Sequence, residues 1–355
     1  MKIAIDILTP KQCMFFSKLS VKLESRGHKI LRTTRKYREV NQLLALKGID
    51  AKVVGEHGGG NLVDKLKASA QRIFELTTVM NEFKPDAAVS FSSPEMTRTA
   101  YGLGVPHVCV NDSPHAEAVA RLTVPLSAKL LTPKIIPKKA WTKYGISPDK
   151  IIQYDALDPW VWLKDFKPDH RIISQLGLNL SKPIMTFRTE ETFASYLLDK
   201  GPALSTTIPL IKMILKKRSH IQVVAVPRYE EQKRPFLEVF RDAITICESI
   251  VDGPSLLSFS SVFVGGGGTM TTESALLGVP TFSFYPGEPF VMLKYLVNNR
   301  LVLLERDPDK LLKKIVSTLD DLATVRKMQS ERVQRLVKDF EDPIEVIIKE
   351  VEKFS

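Results

Sequence analysis

Cysteine is scarce in this 355-residue chain, which contains only three. Cys13, Cys109 and Cys247 are odd in number and far apart in sequence. That pattern argues against a disulfide framework and against a zinc site, and it is typical of proteins that fold in a reducing compartment. We therefore expect a cytoplasmic protein.

Long hydrophobic runs are missing as well. No apolar stretch approaches the roughly 20 residues that a membrane-spanning helix requires. The first residues, Met1–Asp6, carry an acid within a short apolar segment that continues as a strand, so we do not expect a signal peptide. The composition, 44% hydrophobic and 26% charged, is that of an ordinary globular protein, and the length suffices for two domains.

Acidic residues are under-represented in the first half of the chain. Residues 1–168 hold 26 of the 51 lysines and arginines but only 16 of the 40 acidic residues, so most of the net charge of +11 lies there. A basic half suits an acidic or lipid-linked substrate, or contact with an anionic membrane surface. The basic residues are dispersed rather than interleaved with aromatic residues, so we do not expect nucleic-acid binding. A charged surface that serves only solubility is the alternative.

Short apolar segments typical of strands alternate with segments typical of helices. This alternation predicts parallel sheets that are covered by helices on both faces. The predicted strands are Lys2–Leu8, Lys29–Thr34, Ala51–Val54, Ala87–Phe91, His107–Asn111, Pro183–Arg188, Gln222–Pro227 and Thr281–Phe284, with one more before the glycine-rich segment described below. The helices predicted between the first five are Gln12–Arg26, Tyr37–Leu46, Leu62–Phe83 and Pro94–Leu103. The predicted fold class is α/β, with two doubly wound, Rossmann-like domains that face each other across a cleft.

The alternation breaks between Asp155 and Asp169. Two prolines and two tryptophans in this stretch indicate an ordered crossover between domains rather than a floppy linker. We assign residues 1–165 to an N-terminal domain and residues 170–340 to a C-terminal domain. Residues 341–355 are predicted to form a C-terminal helix that packs back on the N-terminal domain.

The glycine-rich segment Gly265–Gly268 is the most informative motif in the chain. It joins a predicted buried strand to a predicted helix that begins at Thr269. Glycines allow positive φ angles and a close approach of a ligand, and a helix amino terminus attracts anions. We predict that Gly266, Gly267, Gly268 and Thr269 bind a phosphate and that Glu273, one helical turn later, reaches sugar hydroxyls. The alternative is a tight turn followed by a threonine that caps the helix.

Polar side chains follow the predicted strands at their carboxyl ends, where doubly wound proteins bind their ligands. The residues concerned are Lys11, His57, Ser93, Asp112, His115, Arg188 and Arg228. We predict that Lys11, His57 and Ser93 line the cleft, together with Arg121. Arg188 and Arg228 could hold a diphosphate, since the guanidinium group suits phosphate geometry, or they could be ordinary surface arginines. No metal is required if helix dipoles and arginines neutralise the diphosphate.

Several segments resemble those of a known family. They include Ser25–His28, Gly55–Gly59, Asn111–Ala118, Leu131–Pro133 and the glycine-rich element. On these residues the chain resembles the archaeal and bacterial proteins grouped as domain of unknown function 354 (DUF354), over nearly its whole length. That family looks like the wider GT-B superfamily, which includes UDP-N-acetylglucosamine 2-epimerases and MurG-like glycosyltransferases. The resemblance implies a C-terminal domain that binds a nucleotide sugar and an N-terminal domain on the acceptor and catalytic side.

Two local matches carry residue roles. In GT-B enzymes a glutamate on the helix after the glycine-rich loop typically binds the ribose, and Glu273 lies at that place. The epimerases carry a His-x-Glu-Ala-x-x-Arg element, which His115 to Arg121 reproduce except that Val119 replaces the epimerase glycine. The match implies that Glu117 is an acid/base and that Arg121 anchors its charge. Glu117 and Arg121 at i,i+4 are also typical of an ordinary surface ion pair.

His115 is a candidate general base, because a histidine titrates near neutral pH and Asp112 lies three residues before it. The alternative is a ring that caps the following helix. Three functions remain open. The first is a metal-independent glycosyltransferase that uses a nucleoside-diphosphate sugar as substrate and needs no separate cofactor. The second is a nucleotide-sugar 2-epimerase, and the third is a non-catalytic nucleotide- or glycan-binding protein of the same fold. We expect any of them in the cytoplasm, or at the inner face of the membrane.

Overall fold

The computed structural model describes residues 1–189, 206–228 and 230–355. The chain forms two compact units. The first unit contains Met1–Trp162 together with Phe340–Ser355, and the second contains Leu163–Asp339.

Each unit is built on one parallel β-sheet. The first sheet has the strands β1 (Lys2–Ile7), β2 (Lys29–Lys36), β3 (Lys52–Glu56), β4 (Ala87–Ser90), β5 (His107–Val110), β6 (Lys129–Pro133) and β7 (Ile151–Tyr154), in the order β3-β2-β1-β4-β5-β6-β7. The second has β8 (Ile184–Arg188), β9 (Gln222–Val226), β10 (Thr245–Ile246), β11 (Val262–Gly265), β12 (Thr281–Ser283) and β13 (Val302–Leu304), in the order β10-β9-β8-β11-β12-β13. Both orders are those of Rossmann-like domains, so the predicted α/β class with two doubly wound domains is confirmed.

Helices cover the sheets on both sides. In chain order they are α1 (Pro10–Ser25), α2 (Arg38–Leu46), α3 (Leu62–Phe83), α4 (Pro94–Gly102), α5 (Glu117–Thr123), α6 (Lys139–Thr142), α7 (Trp160–Leu163), α8 (Arg171–Gln175), α9 (Thr207–Lys217), α10 (Lys233–Phe240), α11 (Gly253–Phe259), α12 (Thr269–Leu276), α13 (Val291–Asn298), α14 (Pro308–Asp320), α15 (Leu322–Val337) and α16 (Pro343–Val351). The strands β4, β5 and β11 are buried along their whole length, as expected for strands with helices on both faces.

Local sequence explains where the site-bearing helices begin. Thr9 accepts a hydrogen bond from the Gln12 amide at the start of α1, and Asn61 accepts two at the start of α3. Ser93 caps α4 in the same way, and Pro94 follows it at the first helical position. Such caps satisfy amide groups that have no partner inside the helix. They place the first turns of α1 and α4 directly after the carboxyl ends of β1 and β4.

The last helix lies in the first unit and packs against α1. The Arg26 guanidinium contacts the Glu345 carboxylate at 2.5 Å, and the His28 ring lies 3.1 Å from the Glu352 carboxylate. These ion pairs are partly exposed, so each contributes at most about 1 kcal/mol. Buried Ile347, Ile348 and Val351 account for the rest of the attachment.

Candidate functional site

The two sheets reverse their strand order at defined points, and these points locate the candidate sites. The order reverses between β1 and β4 in the first unit and between β8 and β11 in the second. Doubly wound sheets bind ligands outside the carboxyl ends of the strands at such a point. In the second unit Gly265 pairs with Arg188 across β11 and β8, so the glycine-rich loop leaves the sheet beside this arginine.

The glycine-rich loop requires glycine at two positions. Gly267 and Gly268 both have φ angles of +93°. A Cβ on Gly267 would lie 3.3 Å from Tyr285 Cδ2, and one on Gly268 would lie 3.1 Å from Arg228 Nη2. Gly266 is buried between them and the strand. A side chain at either position would therefore crowd Tyr285 or Arg228.

Helix α12 begins at Thr269, as predicted, and Gly268 occupies its cap position. The alternative interpretation, in which the threonine caps the helix, is wrong in this respect because Thr269 is already the first helical residue. A glycine cap has no side chain to accept hydrogen bonds from the amide groups of the first turn. The Thr271 amide donates instead to the Gly268 carbonyl at 3.1 Å. The positive end of the helix dipole lies at the loop, an arrangement typical of phosphate sites.

Both predicted arginines lie at this loop and are fixed by backbone carbonyl groups. The Arg228 side chain donates from Nε to the Thr189 carbonyl and from Nη2 to the Gly267 carbonyl, both at 3.1 Å. Arg188 Nη1 donates to the carbonyls of Pro227 at 2.8 Å and Val226 at 3.2 Å. Both side chains are half-buried, so their charges are only partly screened by water.

Glu273 is buried on α12 with 5% of its surface exposed. Its Oε2 atom lies beside Gly253 at the start of α11, 4.0 Å from where a Cβ on that glycine would be. Two aromatic residues at the loop are absent from the sequence prediction. Tyr285 and Phe290 meet edge to face with ring centroids 5.6 Å apart and flank Gly267. Their position shortly after β12, at the ligand-binding edge, is the signal that could have identified them.

In the first unit Lys11 and Asp112 come together at the carboxyl ends of β1 and β5, which β4 separates in the sheet. Lys11 Nζ lies 2.6 Å from Asp112 Oδ2 and 2.6 Å from Asp158 Oδ2. The ammonium group also lies 4.2 Å from the centroid of the Phe91 ring. Tyr154 donates from its hydroxyl to Asp158 Oδ1 at 2.5 Å. Lys11, Asp112, Asp158 and Tyr154 are called the Lys11 cluster below.

Burial and charge shift the pKa values of the two carboxyl groups in the Lys11 cluster in opposite directions. Burial, together with the nearby Asp112 carboxylate, raises the pKa of Asp158 to about 6 even though Lys11 opposes the shift. Burial would also raise the pKa of Asp112, but the Lys11 ammonium outweighs it and holds that pKa below its usual value. Asp112 is therefore ionised at neutral pH, and its side chain is 18% exposed whereas that of Asp158 is fully buried. Of the two carboxylates in the cluster, only that of Asp112 is therefore accessible to solvent.

His115 and Glu117 lie outside the Lys11 cluster. His115 follows Pro114, whose carbonyl accepts a 2.6 Å hydrogen bond from the Tyr144 hydroxyl. Burial lowers the pKa of His115, and the nearby Asp112 carboxylate opposes this shift. Glu117 Oε1 accepts from Arg121 Nη2 at 2.6 Å and from Nε at 2.8 Å, but the two side chains are more than half exposed. The predicted pairing is present, and its catalytic role stays a prediction.

Ser93 belongs to a second buried polar group in the first unit, whereas His57 stacks on Tyr37 with ring centroids 4.7 Å apart. Asp6, Thr33, Arg72, Ser93 and Glu95 are called the Asp6 network. Arg72 Nη2 and Nη1 lie 2.6 Å and 3.0 Å from the two Asp6 oxygens, and Thr33 donates to Asp6 at 2.7 Å. Ser93 Oγ lies 3.4 Å from Glu95 Oε2, so this predicted cleft residue serves both as helix cap and as network member. The sequence prediction does not include Asp6 or Arg72.

Two kinds of feature are absent from the described part of the chain. Within residues 1–189, 206–228 and 230–355, no group of three or more His, Cys, Asp or Glu side chains is placed so that it could hold a metal ion. Within the same ranges, no helix combines the length and apolar character needed to cross a membrane.

The whole chain, residues 1–355, matches the family model described as protein of unknown function, DUF354. The chain belongs to the DUF354 family. It is 32% identical over 322 residues to the uncharacterized protein MJ0665 of Methanocaldococcus jannaschii, an alignment that covers 89% of this chain and 90% of that protein. The family that the sequence motifs indicate is thus confirmed.

Solved structures of the same fold come from two kinds of enzyme. The UDP-GlcNAc 2-epimerase of Neisseria meningitidis bound to UDP-GlcNAc superposes with a TM-score of 0.75 at 16% identity, over 99% of this chain and all of that one. The spinosyn rhamnosyltransferase SpnG superposes with a TM-score of 0.63 at 14% identity, over 99% and 100% of the two chains. At such low identity these similarities establish the fold alone, which is GT-B.

One prediction for this DUF354 protein follows from the raised pKa of Asp158. The folded protein binds more protons than the unfolded chain between the ordinary pKa of 3.8 and the folded value of about 6. The free energy of unfolding should therefore fall as pH rises from 4 to 6, by up to about 3 kcal/mol from this group. Asp158→Asn should remove that part of the pH dependence, as measured by urea unfolding at pH 4, 5 and 6.

The control for this measurement is Asp155→Asn. Asp155 lies three residues earlier and forms an exposed ion pair with Lys134 at 2.7 Å. This variant should keep the pH dependence of the wild type. If the Asp158→Asn and wild-type curves ran parallel from pH 4 to 6, Asp158 would not titrate in this window.

Proposed function

We propose that the protein is a glycosyltransferase that uses a nucleoside-diphosphate sugar, whose diphosphate binds at Gly265–Thr269 in the second unit. The observation that carries this proposal is the loop itself. Gly267 and Gly268 have positive φ angles, a glycine caps α12, and the Arg228 guanidinium lies against the loop. Backbone amides, a helix dipole and a fixed arginine together suit a diphosphate. The GT-B fold of the chain supports the same assignment.

In this proposal the second unit stabilises the leaving group. As the bond between sugar and diphosphate breaks, negative charge builds up on the diphosphate. The amides of the loop and of the first turn of α12, with Arg188 and Arg228, would bind this charge without a metal ion. Glu273 would accept hydrogen bonds from the ribose hydroxyls, because a buried carboxylate is a strong acceptor for them.

The first unit would supply the base that activates the acceptor hydroxyl. Asp112 is ionised, partly exposed and held by Lys11 at 2.6 Å, so its position is well defined. His115 and Glu117 remain further candidates for proton transfer on the same loop and helix. The fully buried Asp158 would act on the substrate only through Lys11, as a residue that positions Asp112.

A second candidate function is nucleotide-sugar 2-epimerisation. Two observations favour it: Glu117 and Arg121 pair at the spacing of the epimerase element, and the Neisseria meningitidis epimerase shares the fold. The two activities separate with the donor alone. An epimerase converts UDP-GlcNAc to its 2-epimer without an acceptor, whereas a transferase leaves it intact or hydrolyses it slowly. A non-catalytic binding protein would bind the nucleotide and change no sugar.

The experiment that tests the donor site is calorimetric titration of the full chain with UDP and with UDP-GlcNAc. We expect saturable binding in the micromolar range, about −8 kcal/mol. Glu273→Gln should weaken binding about 10- to 100-fold, because hydrogen bonds to a charged group are worth about 1.5–3 kcal/mol. Glu238→Gln is the control, since Glu238 forms an exposed ion pair with Arg234 on α10 of the same unit. Equal affinity of the two variants would refute the donor-site assignment.

The proposed function also includes a place in the cell. We propose that the enzyme works in the cytoplasm or at the inner face of an anionic membrane, with an acidic or lipid-linked acceptor. The three cysteines are free and buried, which fits a reducing compartment. The excess of basic residues in the first half of the chain suits an anionic acceptor or surface.

A further inference from the structure

Arg35 lies near the end of β2, and at least one of its hydrogen-bond donors has no partner in the described part of the protein. Its Nε atom is completely buried and has no hydrogen-bond partner. No ion pair joins Arg35 to a carboxylate among the residues that the structure describes, although burial lowers its pKa and Glu95 lies close enough to oppose that shift. A buried donor without a partner lowers stability by about 1–3 kcal/mol, so its retention needs an explanation.

The acids nearest to Arg35 are already engaged by a different arginine. Arg72 binds both oxygens of Asp6 and lies 3.7 Å from Glu95 Oε2. Ser69 donates to the other Glu95 oxygen at 2.7 Å. The carboxylates of Asp6 and Glu95 are thus bound by Arg72 and Ser69. The guanidinium group of Arg35 can therefore bind a ligand.

His57 presents a second donor, and both His57 and Arg35 lie at the Tyr37 ring. Its Nδ1 atom accepts a hydrogen bond from the Gly59 amide at 3.1 Å, so in the neutral ring the proton is on Nε2. The ring stacks on Tyr37 with centroids 4.7 Å apart and an interplanar angle of 21°, and the Arg35 Cζ atom lies 5.9 Å from the Tyr37 ring. Burial, Arg35 and Lys65 all lower the pKa of His57, so the surroundings disfavour additional positive charge.

The loop that follows His57 requires glycine for two separate reasons. Gly59 has a φ angle of +68°, in the left-handed region. A Cβ on Gly58 would lie 2.6 Å from the backbone Cα atom of Lys65, so no side chain fits between the loop and the first turn of α3. Backbone amides in a turn of this kind make a concave surface that favours anions. The carboxyl ends of β2 and β3 therefore carry the cation Arg35, the N–H donor of His57 and a tight glycine turn.

We propose that Arg35, the Nε2–H group of His57 and the Gly58–Gly60 loop form a phosphate-binding site in the first unit. A phosphate offers more acceptor oxygens than a carboxylate and suits a guanidinium fork together with an imidazole N–H. Its charge would offset those of Arg35 and Lys65. In combination with the proposed function, on which this step rests, the acceptor of the transferase carries a phosphate group.

The test follows the His57 ring by NMR while the full chain is titrated with inorganic phosphate in the presence of saturating UDP. The UDP keeps phosphate out of the donor site. We expect a saturable shift of the His57 signal, identified by its loss in His57→Asn, and a rise of the His57 pKa when phosphate is bound. Arg35→Gln should weaken phosphate binding at least about tenfold.

Arg32→Gln is the matched control for Arg35→Gln. Arg32 lies on the same strand and also has a buried Nε atom without a partner, but it forms an ion pair with Glu24 at 2.6 Å. Its variant should bind phosphate like the wild type. A His57 signal that does not respond to phosphate, or equal binding by the two arginine variants, would overturn the phosphate site.

Two further titrations identify the source of the phosphate. Vesicles of phosphatidylglycerol are compared with vesicles of neutral phosphatidylcholine, and both with soluble glucose 1-phosphate. Vesicle binding that Arg35→Gln abolishes supports a lipid-borne phosphate, whereas a response to glucose 1-phosphate alone supports a soluble one. Failure of the donor site abolishes UDP binding but leaves the His57 response to phosphate, whereas failure of this site leaves UDP binding and abolishes the His57 response. The two failures therefore give different results.

Discussion

Arg72→Met is expected to lower the free energy of unfolding of the full chain by about 3–5 kcal/mol. Arg72 is 1% exposed and Asp6 is fully buried, so the substitution leaves a buried carboxylate without its counter-charge. The Arg72 Nε atom also donates to the Val54 carbonyl at 2.9 Å, and this hydrogen bond to β3 is lost as well. Urea unfolding at pH 7 measures the effect.

The second substitution that sharpens this test is Asp6→Asn in the Arg72→Met background. It removes the uncompensated charge, so the double variant should be more stable than Arg72→Met alone. Arg98→Met serves as control because Arg98 is exposed on α4, and it should change stability by less than about 0.5 kcal/mol. A double variant less stable than Arg72→Met would show that the lost charge pair is not the cause.

The pH dependence of the Asp6–Arg72 pair has a definite sign. Burial would raise the pKa of Asp6, but the Arg72 guanidinium outweighs it and holds the pKa below the ordinary value of 3.8. The ion pair therefore stabilises the fold above pH 4, and its contribution is lost as pH falls through the folded pKa. The difference in stability between wild type and Arg72→Met should shrink in acid for this reason.

Lys11→Met is expected to have an effect of similar size, about 3–5 kcal/mol. The substitution leaves Asp112 and Asp158 close together with no cation between them, and Asp158 is fully buried. Both carboxyl groups should then titrate at higher pH, because like charges and burial each favour the neutral form. The stability loss should therefore be larger at pH 8 than at pH 5, measured by urea unfolding at both.

Two comparisons make the Lys11 result specific. Lys18→Met removes an exposed lysine from the same helix and should leave stability nearly unchanged. Asp158→Asn combined with Lys11→Met removes the buried charge and should recover part of the loss. If the Lys11→Met loss were the same at pH 5 and pH 8, the two carboxylates would not be its source.

Elements with strong local signals were predictable from the sequence. Helix α3 spans Leu62–Phe83 as predicted, because it is long and has an asparagine at its cap. The strands β6 and β7 are missing from the prediction. β6 includes Lys129 and ends at Pro133, and β7 contains Gln153 among its four residues, so neither has the continuous apolar pattern that distinguishes a buried strand. Tertiary pairing makes them strands, because β6 pairs with β5 and β7 pairs with β6.

The candidate site was predictable to a similar extent. The glycine-rich loop and the start of α12 at Thr269 follow from local sequence, because only glycine adopts the φ angles of that turn readily. Lys11 and Asp112 were predictable as strand-end residues. Asp158 was not, because it lies in the stretch interpreted as a domain crossover and its burial depends on residues far away in the chain.

The sequence by itself determined the alternation of strands and helices, the family, and the positions where glycine permits a close approach of a ligand. These depend on local conformation and on patterns that lie within a few residues. Only the tertiary structure decided that Lys11 meets Asp158, 147 residues later, and that Arg72 meets Asp6, 66 residues earlier. Parallel strands bring their carboxyl ends to one edge of a sheet, and burial there sets the charges and pKa values of these groups.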